Sequence, residues 1–209
     1  MKSSFNSNDL LLFTGDSITD GDRRRNDPDS LGEGYVQLIA ARLAAAHPEL
    51  NLRFRNTGIS GDRTCDLLSR WDDACINLKP DWVSILIGVN NTWRRYDNDD
   101  LTSLEVFESE YRDLLKRITN ETNAKIIVCS PFLVHTDASI ERMREDLDPK
   151  IGIIKQLAGE FNAIWVDFDA AFISGQTRHM PSYWAGDGVH PSVAGHALMA
   201  DTWLGIVGG

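Results

Sequence analysis

An apolar run near the N-terminus breaks directly into a turn in the stretch LLLFTGDSITDG, which spans residues 10–21. The run from Leu10 to Phe13 predicts a buried strand, and the turn that follows it carries Ser17. A nucleophilic serine needs a sharp turn between a strand and a helix, where its own backbone N–H can face the developing oxyanion. Ser17 is therefore the candidate nucleophile. A serine at such a turn can equally be a helix N-cap, so the assignment depends on partners elsewhere in the chain.

Short apolar runs alternate with longer amphipathic stretches along the rest of the chain, which is typical of a parallel sheet covered by helices on both faces. The predicted strands are 10–13, 52–55, 82–87, 126–129 and 164–168, and the predicted helices are 35–46, 62–76, 104–119, 140–161 and 192–206. Segments 21–34, 91–102 and 174–186 are predicted to be loops. The sequence thus predicts an α/β fold with a five-stranded parallel sheet. Neither a repeat nor a linker divides residues 1–209, which we interpret as a single domain.

Charge and hydropathy exclude several classes of partner. The formal net charge is -10 at pH 7, and such an acidic surface repels nucleic acid and anionic membranes. No apolar run approaches the roughly 20 residues that span a bilayer, and residues 1–9 lack the apolar core of a signal peptide. We therefore expect a cytoplasmic protein that acts on a neutral small molecule.

Metal and cofactor motifs are absent from the sequence. Cys65, Cys75 and Cys129 have no C-x-x-C spacing and suit a reducing compartment, and the five histidines show no metal-binding pattern. No strand is followed by a dinucleotide-binding glycine motif or a P-loop. Asp16 and Asp20, which flank Ser17, are interpreted as turn and first-turn helix residues. The sequence therefore predicts no metal and no cofactor.

Candidate partners for Ser17 follow the ends of other predicted strands. Gly61 comes after the second strand, Asn90 comes after the third, and Asp187 and His190 precede the last helix. Ligands of open parallel sheets bind beyond the carboxyl ends of the strands, so we expect these residues to converge. His190 would accept the proton of Ser17, and Asp187 would orient the imidazole and stabilise its charged form. The oxyanion would be held by the Ser17 N–H, the Gly61 N–H and the Asn90 amide.

Four blocks, GDSI with Ser17, GISG with Gly61, GVNN with Asn90 and DGVH with Asp187 and His190, resemble the SGNH (GDSL-type) serine hydrolases. The segments KPDWVSI (79–85), WRRYD (93–97) and HPSVAGH (190–196) are similar to the bacterial acetyl xylooligosaccharide esterases of that family. The resemblance implies a three-layer α/β/α, flavodoxin-like fold, no metal, and a homo-oligomer. It also implies removal of acetyl groups from acetylated xylo-oligosaccharides inside the cell.

Two further features bear on the substrate. The family usually has an aspartate after the oxyanion asparagine, whereas this chain has Asn91, which changes the charge and hydrogen bonding of that loop. Trp93 and Trp184 lie near the catalytic blocks in sequence, and we expect their flat faces to pack on sugar rings.

Other functions stay open on the sequence alone. A lysophospholipase, a thioesterase or a general short-chain arylesterase would use the same catalytic residues. A carbohydrate-binding protein could use the same fold without catalysis.

Overall fold

The computed structural model describes residues 4–208 and contains a five-stranded parallel sheet. Its strands are β1 (Leu10–Gly15), β2 (Arg53–Asn56), β3 (Trp82–Leu86), β4 (Lys125–Cys129) and β5 (Ile164–Val166). Their order is β2-β1-β3-β4-β5, which is the flavodoxin-like order, so the predicted fold class is confirmed. The order places β1, with Ser17 at its carboxyl end, beside β3 near the middle of the sheet.

Helices connect the strands and cover both faces of the sheet. In the described chain they are α1 (Ser17–Asp20), α2 (Tyr35–Ala46), α3 (Thr64–Ser69), α4 (Trp71–Ala74), α5 (Val89–Asp97), α6 (Leu104–Glu121), α7 (Ala138–Glu160), α8 (Phe168–Gln176), α9 (Pro181–Trp184) and α10 (Val193–Val207). Two 3₁₀ turns occupy Pro48–Leu50 and Ile76–Leu78. Within residues 4–208, no helix has the length and apolar character needed to cross a membrane.

Two apolar cores lie on opposite faces of the sheet. Successive side chains of a strand point to opposite faces, so Phe13 packs toward α2 and α10, while Leu12 packs toward α4 and α6. On the first face, the ring of Trp203 in α10 lies 5.5 Å from the ring of Phe13. On the second face, Trp71 and Tyr111 are completely buried. The sheet is therefore the middle layer of a three-layer sandwich.

The predicted loop 91–102 is wrong over its first part, because α5 covers it. Asn90, Asn91 and Thr92 have poor helix propensity, and each is held by a side chain or carbonyl from another part of the chain. The predicted loop 174–186 likewise contains the end of α8 and all of α9.

Two element boundaries also differ from the prediction. The predicted helix 62–76 is divided into α3 and α4 at Arg70, whose ψ of 15° departs from helical geometry. The last predicted strand ends at Val166 instead of residue 168, because the Asp167 side chain caps α8 by accepting a hydrogen bond from the Ala170 N–H.

Candidate active site

Ser17 is the first residue of α1, directly after β1. Gly15 has a φ of 155°, and a Cβ there would lie 2.0 Å from the Leu86 carbonyl oxygen, so only glycine permits this sharp turn. The N-cap of α1 is Asp16, whose carboxylate accepts the Ile18 N–H at 3.0 Å. Because Asp16 performs the capping, the hydroxyl of Ser17 is available for another interaction.

The Ser17 hydroxyl contacts a histidine from the other end of the chain. The distance from Ser17 Oγ to His190 Nε2 is 2.9 Å, across 173 residues of sequence. His190 Nδ1 lies 2.7 Å from Asp187 Oδ2, and Asp187 Oδ1 accepts the N–H groups of Val189 and His190 at 2.9 and 2.8 Å. Serine, imidazole and carboxylate thus form one hydrogen-bonded series.

Asp187 is suited to hold the imidazole in one orientation. Partial burial raises the pKa of Asp187, but the hydrogen bonds from the His190 side chain and from the two backbone N–H groups outweigh that effect, and the pKa lies below its ordinary value. The carboxylate is therefore ionised at neutral pH and accepts a hydrogen bond from His190 Nδ1–H. This fixes the neutral tautomer in which His190 Nε2 accepts from Ser17.

The predicted oxyanion donors lie on loops tied to the same edge of the sheet. The Ile59 N–H donates to the Gly15 carbonyl at 3.0 Å, which fastens the segment that contains Gly61 to the end of β1. Gly61 has a φ of 90°, which favours glycine, and a Cβ there would meet no atom within 4 Å. Asn90 is 4% exposed and donates one amide hydrogen to the Asp62 carbonyl at 3.0 Å. Its second amide hydrogen has no partner within residues 4–208.

The Asn91 amide both accepts and donates hydrogen bonds, whereas an ionised carboxylate can only accept them. Its Oδ1 accepts the Thr64 N–H at 3.1 Å, and its Nδ2 donates to Thr64 Oγ1 at 2.9 Å. Thr64 Oγ1 in turn donates to Glu110 at 2.5 Å. The carboxyl group in this hydrogen-bonded series is therefore that of Glu110 on α6, and Asn90 keeps its place in the first turn of α5.

A buried ion cluster fastens α5 to α7. Asp146 accepts hydrogen bonds from Thr92 Oγ1 at 2.8 Å and from Arg95 at 3.0 Å, and it pairs with Lys150, whose side chain is completely buried. Since α5 carries both Asn90 and Trp93, this cluster fixes the position of two predicted site residues.

The two predicted substrate-binding tryptophans have different surroundings. The Trp93 ring lies 5.8 Å from the His190 ring and is partly exposed. Trp184 is 7% exposed, and its ring packs against Gly175 and beside Arg178 on α8 and the following turn. Because the missing side chain of Gly175 gives the indole room in the core, Trp184 offers little surface to a ligand. Of these two tryptophans, Trp93 is the one beside the imidazole.

Two surface depressions flank the series of hydrogen bonds. One, of about 300 Å³, is lined by polar groups that include Ser17, Asp20, Asp22, Ser60, His190 and His196. The other, of about 470 Å³, is lined by Trp93, Tyr96, Ile140, Met143 and Asp187 among others. Residues 4–208 contain no group of three or more histidine, cysteine, aspartate or glutamate side chains that could hold a metal ion.

Sequence reasoning missed His196 as a residue of the first depression. The signal was its position in the first turn of the helix that directly follows the Asp187–His190 loop. Residues in this first turn lie close to the Asp187–His190 loop, and therefore close to a ligand that the loop contacts.

Residues 13–198 match the model of the GDSL-like lipase/acylhydrolase family. The chain belongs to this family. The membership predicted from the GDSI, GISG, GVNN and DGVH blocks is thereby confirmed. Among its relatives is an acetylxylan esterase from Geobacillus stearothermophilus, which is 40% identical over 97% of this chain and 95% of its own length.

Solved structures of similar proteins agree with the fold. Axe2, an acetylxylan esterase from Geobacillus stearothermophilus, superposes with a TM-score of 0.90 at 39% identity, over 98% of this chain and 96% of its own. Structures described as catalytic mutants of Axe2 have alanine in place of a serine, an aspartate, or a histidine three positions after that aspartate. In this chain His190 likewise lies three positions after Asp187.

Proposed function

We propose that this chain is a carboxylic ester hydrolase that removes acetyl groups from acetylated xylo-oligosaccharides through an acyl-enzyme intermediate. The observation that carries the proposal is the series Ser17–His190–Asp187, with distances of 2.9 and 2.7 Å, in a member of an acylhydrolase family. The substrate class is supported by the 40% identity to an acetylxylan esterase over nearly the whole chain.

Each group has a role in the proposed reaction. Ser17 Oγ attacks the acetyl carbonyl carbon while His190 Nε2 takes the hydroxyl proton. The carbonyl oxygen becomes an oxyanion, which accepts hydrogen bonds from the Ser17 N–H, the Gly61 N–H and the free amide hydrogen of Asn90. Collapse of the intermediate breaks the bond to the sugar oxygen, which receives the proton from His190. Water then attacks the acetyl-serine with His190 as base, and acetate leaves.

The polar lining of the depression beside the nucleophile favours a sugar over a long acyl chain. Asp20, Asp22, Ser60 and His196 line it together with Ser17 and His190. Carboxylate, hydroxyl and imidazole groups match the hydroxyls of a sugar, whereas an acyl chain of a lysophospholipid would need an apolar groove. Trp93 offers an aromatic face to the substrate near His190.

Turnover of two esters by three proteins tests this proposal. Wild type should hydrolyse both acetylated xylo-oligosaccharides and 4-nitrophenyl acetate, and Ser17→Ala should lower kcat for both by at least ~10³-fold. Ser69→Ala is the matched control, because the Ser69 hydroxyl donates to the Asp66 carbonyl within α3. If Ser17→Ala protein kept the full turnover of wild type, the assignment of Ser17 as the nucleophile would be wrong.

Chain-length preference separates the alternatives within the family. We expect acetyl esters to be hydrolysed much faster than octanoyl esters of the same alcohol. Faster turnover of the octanoyl ester would favour a lysophospholipase or a long-chain thioesterase. Turnover of 4-nitrophenyl acetate without turnover of the acetylated sugars would favour a general arylesterase. A protein that binds the sugars and cleaves neither ester would be a carbohydrate-binding protein.

The assembly and the compartment are part of the proposal. We propose a homo-oligomer, which the resemblance to the acetyl xylooligosaccharide esterases implies. We propose a cytoplasmic location, supported by the free thiols of Cys65, Cys75 and Cys129. Light scattering on the purified protein tests the first, and fractionation of cells that produce it tests the second.

A further inference from the structure

We propose that His196 recognises the sugar, by donating a hydrogen bond from its Nε2–H to a free hydroxyl of the ring that carries the acetyl ester. The inference rests on the proposed esterase function and deepens it. It assigns a role to a histidine that is outside the Ser17–His190–Asp187 series and lines the same depression as Ser17 and His190.

The contacts of His196 fix which nitrogen carries its proton. The backbone N–H of Tyr35 points at His196 Nδ1, with an N to N distance of 3.2 Å. A backbone N–H can only donate, so Nδ1 is the acceptor and Nε2 carries the hydrogen in the neutral ring. Burial, aided by the nearby His190, lowers the pKa of His196 from 6.5 to about 4. The ring is therefore neutral at pH 7, with a fixed donor at Nε2.

This donor has no partner in the part of the chain that the structure describes. Within residues 4–208, the one hydrogen bond of the His196 side chain is the bond from Tyr35 to Nδ1. The ring is packed closely against Gly34, where a Cβ would approach His196 Cε1 to 2.9 Å. An oriented N–H without a protein partner is a ready donor for a ligand group in the depression.

The position of the depression indicates which part of the substrate would receive the bond. The oxygen that leaves with the sugar must lie within reach of both the acyl carbon on Ser17 and the proton on His190 Nε2. The depression of about 300 Å³ is lined by both of these residues. In the proposed reaction the oxyanion donors hold the carbonyl oxygen, so the leaving oxygen and its sugar are the groups directed into the depression. The sugar ring, and not the acetyl methyl group, therefore faces His196.

The charge of the lining agrees with a hydroxyl-rich ligand. Asp22, on the rim, is exposed and has no hydrogen bond to any described residue. Asp20 is 4% exposed and is already engaged by Arg25 and by the Ser60 N–H. A sugar offers adjacent hydroxyls, one of which can accept from His196 while another donates to Asp22.

The test compares two substitutions of His196 with the same substitution elsewhere. His196→Asn places an amide oxygen near the position of Nδ1, so it can still accept from Tyr35, but it removes the Nε2–H. His196→Gln can return an N–H near the position of Nε2 and weakens the contact to Tyr35. His47→Asn is the matched control, because His47 lies at the opposite end of α2.

The measured quantity is the ratio of kcat/KM for acetylated xylo-oligosaccharides to kcat/KM for 4-nitrophenyl acetate. We expect His196→Asn to lower this ratio about tenfold, His196→Gln to lower it less, and His47→Asn to leave it unchanged. An unchanged ratio in His196→Asn, or an equal loss of kcat/KM for both esters, would overturn the assignment. Wild type that cleaves 4-nitrophenyl acetate but not the acetylated sugars would instead refute the proposed substrate, and this inference with it.

A second measurement leaves His196 unaltered. In ¹⁵N-histidine-labelled Ser17→Ala protein, the Nε2–H resonance of His196 should shift on titration with acetylated xylobiose. If His196 only caps α2, the bound sugar will leave that resonance where it was while resonances of His190 move.

Discussion

The carboxyl group of Asp16 is buried directly behind the nucleophile, and its removal should change how stability depends on pH. Asp16 is 1% exposed; its Oδ1 accepts the Ile18 N–H, and its Oδ2 has no partner among residues 4–208. Burial raises the pKa of Asp16 from 3.8 to about 7, against the lowering effects of the Ile18 N–H and of His190. The folded chain therefore holds this proton more tightly than the unfolded chain does.

Because of this difference, Asp16 lowers the free energy of unfolding as the pH rises from about 4 through 7. About three pH units between the two pKa values correspond to about 4 kcal/mol. Asp16→Asn has no proton to lose and keeps the acceptor for Ile18. Its amide, however, has two unpaired N–H donors where the protonated carboxyl group has one unpaired O–H, and the additional donor costs about 1–3 kcal/mol at every pH. We expect the variant to be less stable than wild type at pH 4 and more stable at pH 8.

Urea unfolding followed by tryptophan fluorescence, at several values between pH 4 and pH 8, measures the free energy of unfolding of both proteins and the pH at which the more stable of the two changes. The other titrating groups contribute to both proteins and cancel in the difference between their unfolding free energies. That difference should move by about 4 kcal/mol in favour of Asp16→Asn over the range. A difference that stays constant to within about 1 kcal/mol would refute the view that burial keeps this carboxyl group protonated.

Two further predictions concern the side chains that hold α5. Asn91→Asp should lower the free energy of unfolding by about 1–3 kcal/mol, because the single hydrogen of the Thr64 hydroxyl would then face two carboxylates. Adding Glu110→Gln removes one of these carboxylates and should restore most of the loss in the same urea assay. A double variant no more stable than Asn91→Asp would contradict this account. Lys150→Met should lower the free energy of unfolding by about 3 kcal/mol, because it leaves Asp146 buried beside fewer cations. Thermal unfolding of Lys150→Met, with and without Asp146→Leu, checks whether the loss comes from the broken ion pair.

The sheet was predictable because its central strands are buried on both faces. Runs such as Trp82–Leu86 are apolar apart from Ser84, and this pattern distinguishes them from the amphipathic helices that follow. Helix α5 was not predictable, because its first turn contains residues with poor helix propensity that are stabilised by Thr64 and Asp146 from distant parts of the chain. Local propensity carries no information about such partners.

Some features of the candidate site were likewise predictable from the sequence, and others were not. The spacing of Asp187 and His190 and the turn at Ser17 predicted a contact that the structure contains at 2.9 Å, and the catalytic roles of these residues stay predictions. The place of His196 depends on the backbone of Gly34, and the burial of Trp184 depends on the missing side chain of Gly175. Both arise from close approaches between segments far apart in sequence, which periodicity cannot reveal.

The nucleophile follows the first strand, whereas its base precedes the last helix. During synthesis on the ribosome, a nascent chain would expose Ser17 long before His190 leaves the exit tunnel. The hydroxyl would stay inert throughout elongation, since His190 is not yet in place to accept its proton. Esterase activity would then arise in one step, when α10 docks against α2. Recovery of turnover after refolding should therefore report the folding of the whole domain and not of a part of it.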